Sequence, residues 1–408
     1  MTDTGSALEY DCLVLSGGGA KGAYGAGVAK AVEALRRLRG VTRPVLYVGA
    51  SAGALNAYIL ASGDADQLIA FWRRLEAKEI LGDSAASAKR RAFLRWASDW
   101  MGPRRPYSVF TNEALRRLVA GEAKLERLHS DLIVAATDYT RGEARAFYRS
   151  ALVSEFAAAD WAEAPRRRRL AHLRRLETDE QLVDALVGSA AIPVIFPPVR
   201  IASTGPDGPE SSWFIDGGVG NNTPTREAAY FTRFLEQAGR GRVVGAYCVK
   251  LDPPAPVQER TTALDLLGII QRTMDVYSWI HMKPIVAGWN RINREVEDQN
   301  AKVLEMTTWV QELPIDADVR NQIADRIAAD FGKLGGRVPR VSVPLIEIEP
   351  SVPLGDMLAF SPAEAEQHIR HGYNDALDVF RHRQDPANRG ETLLDEAEHS
   401  SLVNRPLW

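Results

Sequence analysis

The residues best suited to chemistry in this 408-residue chain are a serine and an aspartate in small-residue surroundings. Gly49-Ala50-Ser51-Ala52-Gly53 has the G-x-S-x-G form. Its glycines and alanines let a strand turn tightly into a helix, which leaves the Ser51 hydroxyl projecting at the helix N-terminus. Developing negative charge is favoured there. A serine hydroxyl is a poor nucleophile until a base takes its proton, and Asp216 is placed to be that base. It closes the apolar run Trp213-Phe-Ile and precedes Gly217-Gly218 and Asn221-Asn-Thr-Pro224, so another chain segment can approach it. The same residues also suit an aspartate that only holds a turn through bonds to its own backbone.

Histidine is the more usual base, and the chain has seven: His129, His172, His281, His368, His371, His382 and His399. His368 and His371 fall inside a well-capped helix rather than a loop after a strand, and His172 sits among arginines that disfavour a proton-accepting cation. Each reads as a surface or packing residue. Ser189 does not compete as nucleophile, since Gly188-Ser-Ala-Ala-Ile lacks the second glycine of an elbow. Cys12 and Cys248 lie in apolar, strand-like runs and read as buried thiols. Two thiols cannot complete a structural zinc site, and neither a metal nor another cofactor is expected.

Gly17-Gly-Gly-Ala-Lys-Gly22 satisfies G-x-G-x-x-G between a strand and a helix. A dinucleotide site of this form wants an acid about 20 residues on to hold the ribose, and positions 36–49 contain none. The Walker pattern fails as well, because no Gly-Lys-Ser/Thr follows at the required spacing.

Hydrophobic periodicity supplies the elements that must position these residues. It predicts a strand at 12–16, a glycine turn and a helix over 23–38, then a strand at 45–48, the Ser51 turn and a helix over 54–60. Two such units without hairpin signals predict a parallel α/β sheet with helices on its faces. Residues 66–101 read as helical and mix Trp with Arg. A strand at 131–136 opens a polar excursion that runs to the basic stretch PRRRRLAHLRR at 165–175. An apolar helix follows at 181–189, then a strand pair, 199–203 and 213–216, around an exposed turn, and the last core strand at 243–251. Beyond Pro253-Pro254 the pattern gives long helices over 263–292 and 315–331 joined by polar residues. A strand at 345–349 then precedes a helix marked by Ser361 as N-cap, Pro362 and Glu364. From Gln384 the tail is polar and expected to fray.

Taken in order, GGGAKG, GASAG and DGG resemble the patatin-like phospholipase family, and Ser189-Ala-Ala-Ile-Pro-x-x-Phe-Pro-Pro198 is similar to the family's segment between nucleophile and aspartate. The resemblance covers about 10–249. It implies a three-layer α/β/α sandwich with a mainly parallel central sheet plus helical elaborations. It also implies a Ser-Asp dyad without histidine: Ser51 as nucleophile, Asp216 as general base, and the backbone N–H groups of Gly17, Gly18 and Gly19 as oxyanion hole. Lys21 occupies the basic position of the glycine motif, where it either favours an anionic substrate or holds the loop. Gly22, Gly49, Gly53, Gly217 and Gly218 fill the remaining motif positions. The implied reaction is hydrolysis of fatty-acyl esters of phospholipids or lysophospholipids, with broader lipid acyl hydrolysis left open. An α/β-hydrolase with a Ser-His-Asp triad is the nearest competing enzyme, but it would place the elbow later in a larger sheet and need a loop histidine after the acid. A non-catalytic lipid-binding or regulatory protein that keeps the fold is the alternative outside enzymes.

The composition, 45% hydrophobic and 25% charged, is that of an ordinary globular chain. A formal charge of -3 supplies no global field toward nucleic acid or an acidic membrane. Attraction to a phospholipid membrane or micelle must then be local. The aromatic and basic segment 72–105 and the stretch 165–175 are candidates for it, each with a solvated helix face as the plain alternative. The N-terminus has neither the basic start nor the apolar core of a signal peptide, and the uncharged run 45–63 is broken by three Gly, two Ser and an Asn. A cytoplasmic enzyme with reversible, peripheral membrane association is expected. The expected organisation is a catalytic core at 8–252, a mainly helical elaboration packed on it at 253–383, and a polar tail at 384–408. Within the elaboration, Met274, Trp279, Met282 and Trp289 read as packing, while 255–345 as a whole suits a lid, an oligomer contact or a surface for an activating ligand or protein partner.

Overall fold

A computed structural model describes residues 8–82, 108–150, 173–205, 208–229, 241–252, 266–331, 342–343, 345–383 and 392–404. β1 (Leu8–Leu15) begins four residues before its apolar run because it is held from Leu8 onward by a parallel neighbour. Its alternation sends Leu13 and Leu15 to one face of the sheet and Tyr10, Cys12 and Val14 to the other, and all five are buried. A strand covered on both faces reads as continuously apolar, which is the signature of a parallel sheet.

After β1 come a short 3-10 turn (Gly19–Lys21), α1 (Gly22–Leu38), β2 (Val45–Ala50), α2 (Ala52–Ser62), α3 (Ala65–Arg74), α4 (Ala77–Leu81) and α5 (Glu113–Ala120). The chain continues through β3 (Asp131–Asp138), β4 (Glu143–Arg149), β5 (Leu173–Arg175), α6 (Asp179–Ser189), β6 (Val199–Gly205), β7 (Gly208–Ile215) and α7 (Gly217–Asn221). β8 (Gly241–Val249), α8 (Leu266–Gln311), α9 (Ala317–Phe331), β9 (Leu345–Ile348), α10 (Pro362–His382) and α11 (Glu396–Val403) complete the described elements. Among them the sheet runs in the order β5-β4-β3-β2-β1-β8-β9. β1, β2, β3, β8 and β9 pair in parallel, whereas β4 runs antiparallel to β3. The β6–β7 hairpin joins the end of β3 through Thr137 and Ile215. α1, α2, α3 and α10 pack on one face, and Trp289 of α8 with Ala228 packs on the other. This is the expected mainly parallel α/β sheet flanked by helices.

Four local expectations are corrected. The helical stretch 66–101 breaks at Leu75 and Glu76, which are extended; Glu76 and Glu79 form a capping box that starts α4, and Gly82 ends it at φ 73°. Residues 83–107, with most of the Trp and Arg pattern, lie outside the described residues. The polar excursion after β3 contains a strand, β4, whose charge is absorbed locally: Arg145 is buried and paired with Asp138 at 3.2 Å and with Glu210 at 2.7 Å. α8 runs unbroken to Gln311, since the polar residues 293–311 are an exposed helical face rather than a linker. The tail carries α11, with Asp395 and Glu398 as a capping box and Leu393, Leu394 and Leu402 buried.

Of the basic stretch, only 173–175 is described, and Arg174 is buried against Glu210. Arg166 to Arg169 lie outside the described residues. Trp289 is buried and donates to the Val343 carbonyl at 2.8 Å. The side chains of Met274, Trp279 and Met282 are outside the described set. No helix among the described residues is long and apolar enough to cross a membrane.

Candidate active site

Ser51 sits between the end of β2 and the start of α2, at the carboxyl edge of the sheet. Its backbone is at φ 54°, ψ −127°, a conformation costly for a residue with a Cβ and kept only where the surroundings fix it. The sharp turn is possible because Gly49 and Gly53 touch: a Cβ on Gly49 would fall on the Gly53 carbonyl, and one on Gly53 on the Leu15 carbonyl. Ser51 begins α2 with its carbonyl, which accepts from Ala54 N–H at 2.9 Å, while its side chain makes no cap bond. The hydroxyl is therefore left for another use. Its amide donates at 2.8 Å to the Ser189 hydroxyl.

The glycine turn lies against this elbow. A Cβ on Gly17 would come within 2.8 Å of Ser51 Cβ and 2.5 Å of Asn222 Oδ1. The Gly17 amide is taken by the Asn222 carbonyl at 3.2 Å, and the Asn222 side-chain amide donates back to the Gly17 carbonyl at the same distance. Of the three glycines expected to donate to an oxyanion, Gly17 thus has its amide engaged, whereas among the described residues the amides of Gly18 and Gly19 have no protein acceptor. Gly19 has φ 59°, and a Cβ there would fall on the Met357 carbonyl, which also accepts from Ala20 N–H at 2.7 Å. Gly22 opens α1 against Trp72 and Ala52. Lys21 is buried, and its ammonium pairs with Asp252 at 3.7 Å, tying the end of the turn to the chain after β8.

Asp216 follows β7 and caps α7, accepting from Gly218 N–H at 2.7 Å through Oδ1. Gly217 leaves room for the Ala135 carbonyl. Asp216 is 2% exposed and Ser51 4%. Burial pushes the Asp216 carboxyl up to about 6, while the Ser51 hydroxyl and the Gly218 amide pull the other way by steadying its charged form. No charged group among the described residues contributes to that shift. The Ser51 hydroxyl is near enough to act on the carboxyl, yet the pair falls short of full hydrogen-bond geometry, and Oδ2 has no bonded partner. Nucleophile and base pairs are often loose before substrate binds. The disposition is that of a buried carboxylate with one oxygen free beside a serine hydroxyl, which suits proton transfer at near-neutral pH.

No histidine among the described residues hydrogen bonds to Ser51 or Asp216. His368 lies on α10 against the backbone of Ala20 and Leu354, and burial holds its pKa below the usual imidazole range. Cys12 and Cys248 are free and buried. No cluster of His, Cys, Asp or Glu suited to a metal occurs among the described residues. The residues that sequence reading missed are Ser189, Asn222 and Met357. The first two were visible in GSAAIP and NNTP as small polar residues beside the motifs, whereas Met357 acts through its carbonyl, which no side chain announces.

A family model described as patatin-like phospholipase matches residues 13–229. Among solved structures, the chain is similar to VipD from Legionella pneumophila, at 14% identity over 92% of this chain and 67% of that one, with a TM-score of 0.35. No curated protein matches. The family match takes in the glycine turn, the elbow, the Ser189 turn and the Asp216 loop in one unbroken stretch of just over half the chain, and on that ground the protein belongs to the patatin-like phospholipase family.

Proposed function

We propose that the protein is a lipid acyl hydrolase that works through a Ser51 acyl-enzyme with Asp216 as general base. The observation that carries this reading is the buried Asp216 carboxyl, with Oδ2 unpartnered, beside a serine held in a strained elbow. Ser51 Oγ attacks the ester carbonyl as its proton passes to Asp216 Oδ2. Negative charge grows on the carbonyl oxygen, and the Gly18 and Gly19 amides are the donors we assign to it. Such donors act without reorganisation at the moment of reaction, and losing one typically costs about 2.7–4 kcal/mol. Collapse of the tetrahedral species breaks the ester C–O bond, and the leaving alcohol takes the proton from Asp216. Water, deprotonated by the same carboxylate, then attacks the acyl-enzyme, releases the fatty acid and restores Ser51.

Family membership supports lipid acyl esters as the substrate class. Within that class we favour phospholipids or lysophospholipids met at a membrane or micelle surface, by peripheral association. Lys21, engaged with Asp252, is read as holding the loop rather than as a substrate contact. The same reading takes 8–252 as the catalytic core, 253–383 as an elaboration packed on it and 384–408 as a tail that includes α11.

The test is fluorophosphonate labelling of wild type, Ser51→Ala and Asp216→Asn, followed by fatty-acid release from phosphatidylcholine vesicles. Wild type should take one label per chain and release fatty acid, and either variant should lose about a thousandfold or more in kcat. Equal release by wild type and Ser51→Ala would sink the proposal.

A further inference from the structure

We propose that Ser189 is a positioning residue of this site: its hydroxyl pins the Ser51 elbow, and the turn it begins holds nucleophile and base against one piece of backbone. The inference rests on the Ser51–Asp216 reading above and gives a role to a residue outside that pair.

Ser189 is the last residue of α6 and is fully buried, at 0% exposure. Its Oγ accepts from the Ser51 N–H at 2.8 Å and donates to the Ala135 carbonyl at 2.6 Å. Two residues on, the Ala191 carbonyl accepts from the Asp216 N–H at 2.9 Å. Ala135 stands on β3 directly opposite Ala50, the residue before the nucleophile. Residues 189–191 therefore bond to the backbone of Ser51 and of Asp216 and anchor both to the centre of the sheet.

The chemistry calls for a hydroxyl. Ser51 is at a helix N-terminus, where an amide has no acceptor within the helix, and here that amide faces the interior. Only a group that accepts and donates at once can satisfy both Ser51 N–H and the Ala135 carbonyl, and a hydroxyl has one donor and two lone pairs. Alanine offers neither, and the thiol of cysteine offers both weakly. The strained Ser51 backbone, φ 54°, is the kind that persists only when neighbours over-determine it. Ser189 supplies that constraint from one side, and the close contact of Gly49 with Gly53 supplies it from the other. Without the Ser189 bond the elbow can relax, which moves Ser51 Oγ relative to Asp216 and to the Gly18 and Gly19 amides.

The experiment compares the full-length chain with Ser189→Ala and Ser189→Cys, using a fluorophosphonate probe and a short-chain p-nitrophenyl ester that needs no lipid surface. For Ser189→Ala the labelling rate and kcat should both fall about a hundredfold, the effect of displacing a reacting group by about 1 Å, with KM within about twofold and labelling still reaching one per chain. The acid limb of the kcat/KM profile should also move to higher pH, because the Ser51 hydroxyl no longer steadies the Asp216 carboxylate. A merely structural role would instead lower the number of labelled sites and leave the rate per site and the acid limb where they are. Ser189→Cys leaves no cavity and keeps a weak donor and acceptor, so it gives the same reading at smaller amplitude should Ser189→Ala fail to fold. Labelling at the wild-type rate with an unmoved acid limb in the folded variant overturns the positioning role. A wild-type chain that neither takes the label nor releases p-nitrophenol overturns the acyl-transfer reading, and the role of Ser189 with it.

Discussion

Burial gives Asp216 its basicity and makes the native state carry a cost for it. The carboxyl titrates near 6 in the fold against an ordinary value of 3.8, so the folded protein binds its proton more tightly than the unfolded chain does. Below about pH 3 both states are protonated and the group contributes nothing. Between about pH 4 and pH 6 the unfolded chain ionises while the fold keeps its proton, so stability falls across that window, and above 6 the fold holds a buried carboxylate at a cost of about 3 kcal/mol, at 1.36 kcal/mol per unit. Asp216→Asn removes that charge at every pH. The variant should therefore be more stable than wild type at pH 8, by up to about 3 kcal/mol, and equal to it near pH 3. Urea unfolding at both pH values measures this, and equal stabilities at pH 8 would contradict the assigned burial cost. On the proposed mechanism the same titration should set the acid limb of the wild-type kcat/KM profile near pH 6.

At the scale of elements, the glycine turn is positioned from two directions: by β1 from before it and by α10 from behind. α1 begins at Gly22 and packs on α10 so closely that a Cβ on Gly27 would fall on the Ile369 carbonyl, and one on Gly372 on the Tyr24 carbonyl. Ala is the better helix former by about 1 kcal/mol, yet overpacking against a helix backbone that cannot yield costs about 1–3 kcal/mol or more, so the clash wins. Gly27→Ala should lower the urea midpoint. Gly288→Ala, in α8 where nothing among the described residues lies within 4 Å, should raise it slightly. Opposite signs in the two variants identify close helix approach as the reason; stabilisation by Gly27→Ala would refute it. The reach of α8 to Gln311 and the presence of β4 were illegible in sequence for related reasons. An exposed helix face has the composition of a linker, and a charged strand residue such as Arg145 is tolerated only because Asp138 and Glu210 meet it in three dimensions.

For the whole molecule, the family match ends at residue 229, but the sheet and the site do not. β8 and β9 extend the sheet beyond β1, and α10 buries Ile369, Tyr373, Leu377 and Phe380. Four such side chains at about 1.5–3 kcal/mol each rival the 5–15 kcal/mol that holds an ordinary domain together. A chain ending at residue 343 should lose cooperative unfolding and, with the Met357 carbonyl gone from behind Gly19 and Ala20, its fluorophosphonate label. A soluble, labelled truncation would show that residues 344–408 are dispensable to the site.

The sequence by itself determined what is local: the strand–turn–helix order, the elbow around Ser51, the aspartate closing β7, the Ser361 cap of α10 and the family. Small residues, caps and periodicities act over a few positions and are written where they act. Only the tertiary structure decided which partners stand behind them. It set the Gly17 amide on the Asn222 carbonyl, Lys21 on Asp252, Met357 behind the glycine turn and Ser189 between Ser51 and Ala135. Those contacts join residues from 54 to more than 300 positions apart, and several run through backbone carbonyls that every residue owns. Nothing in the order of side chains marks which carbonyl will be used until packing has brought it there.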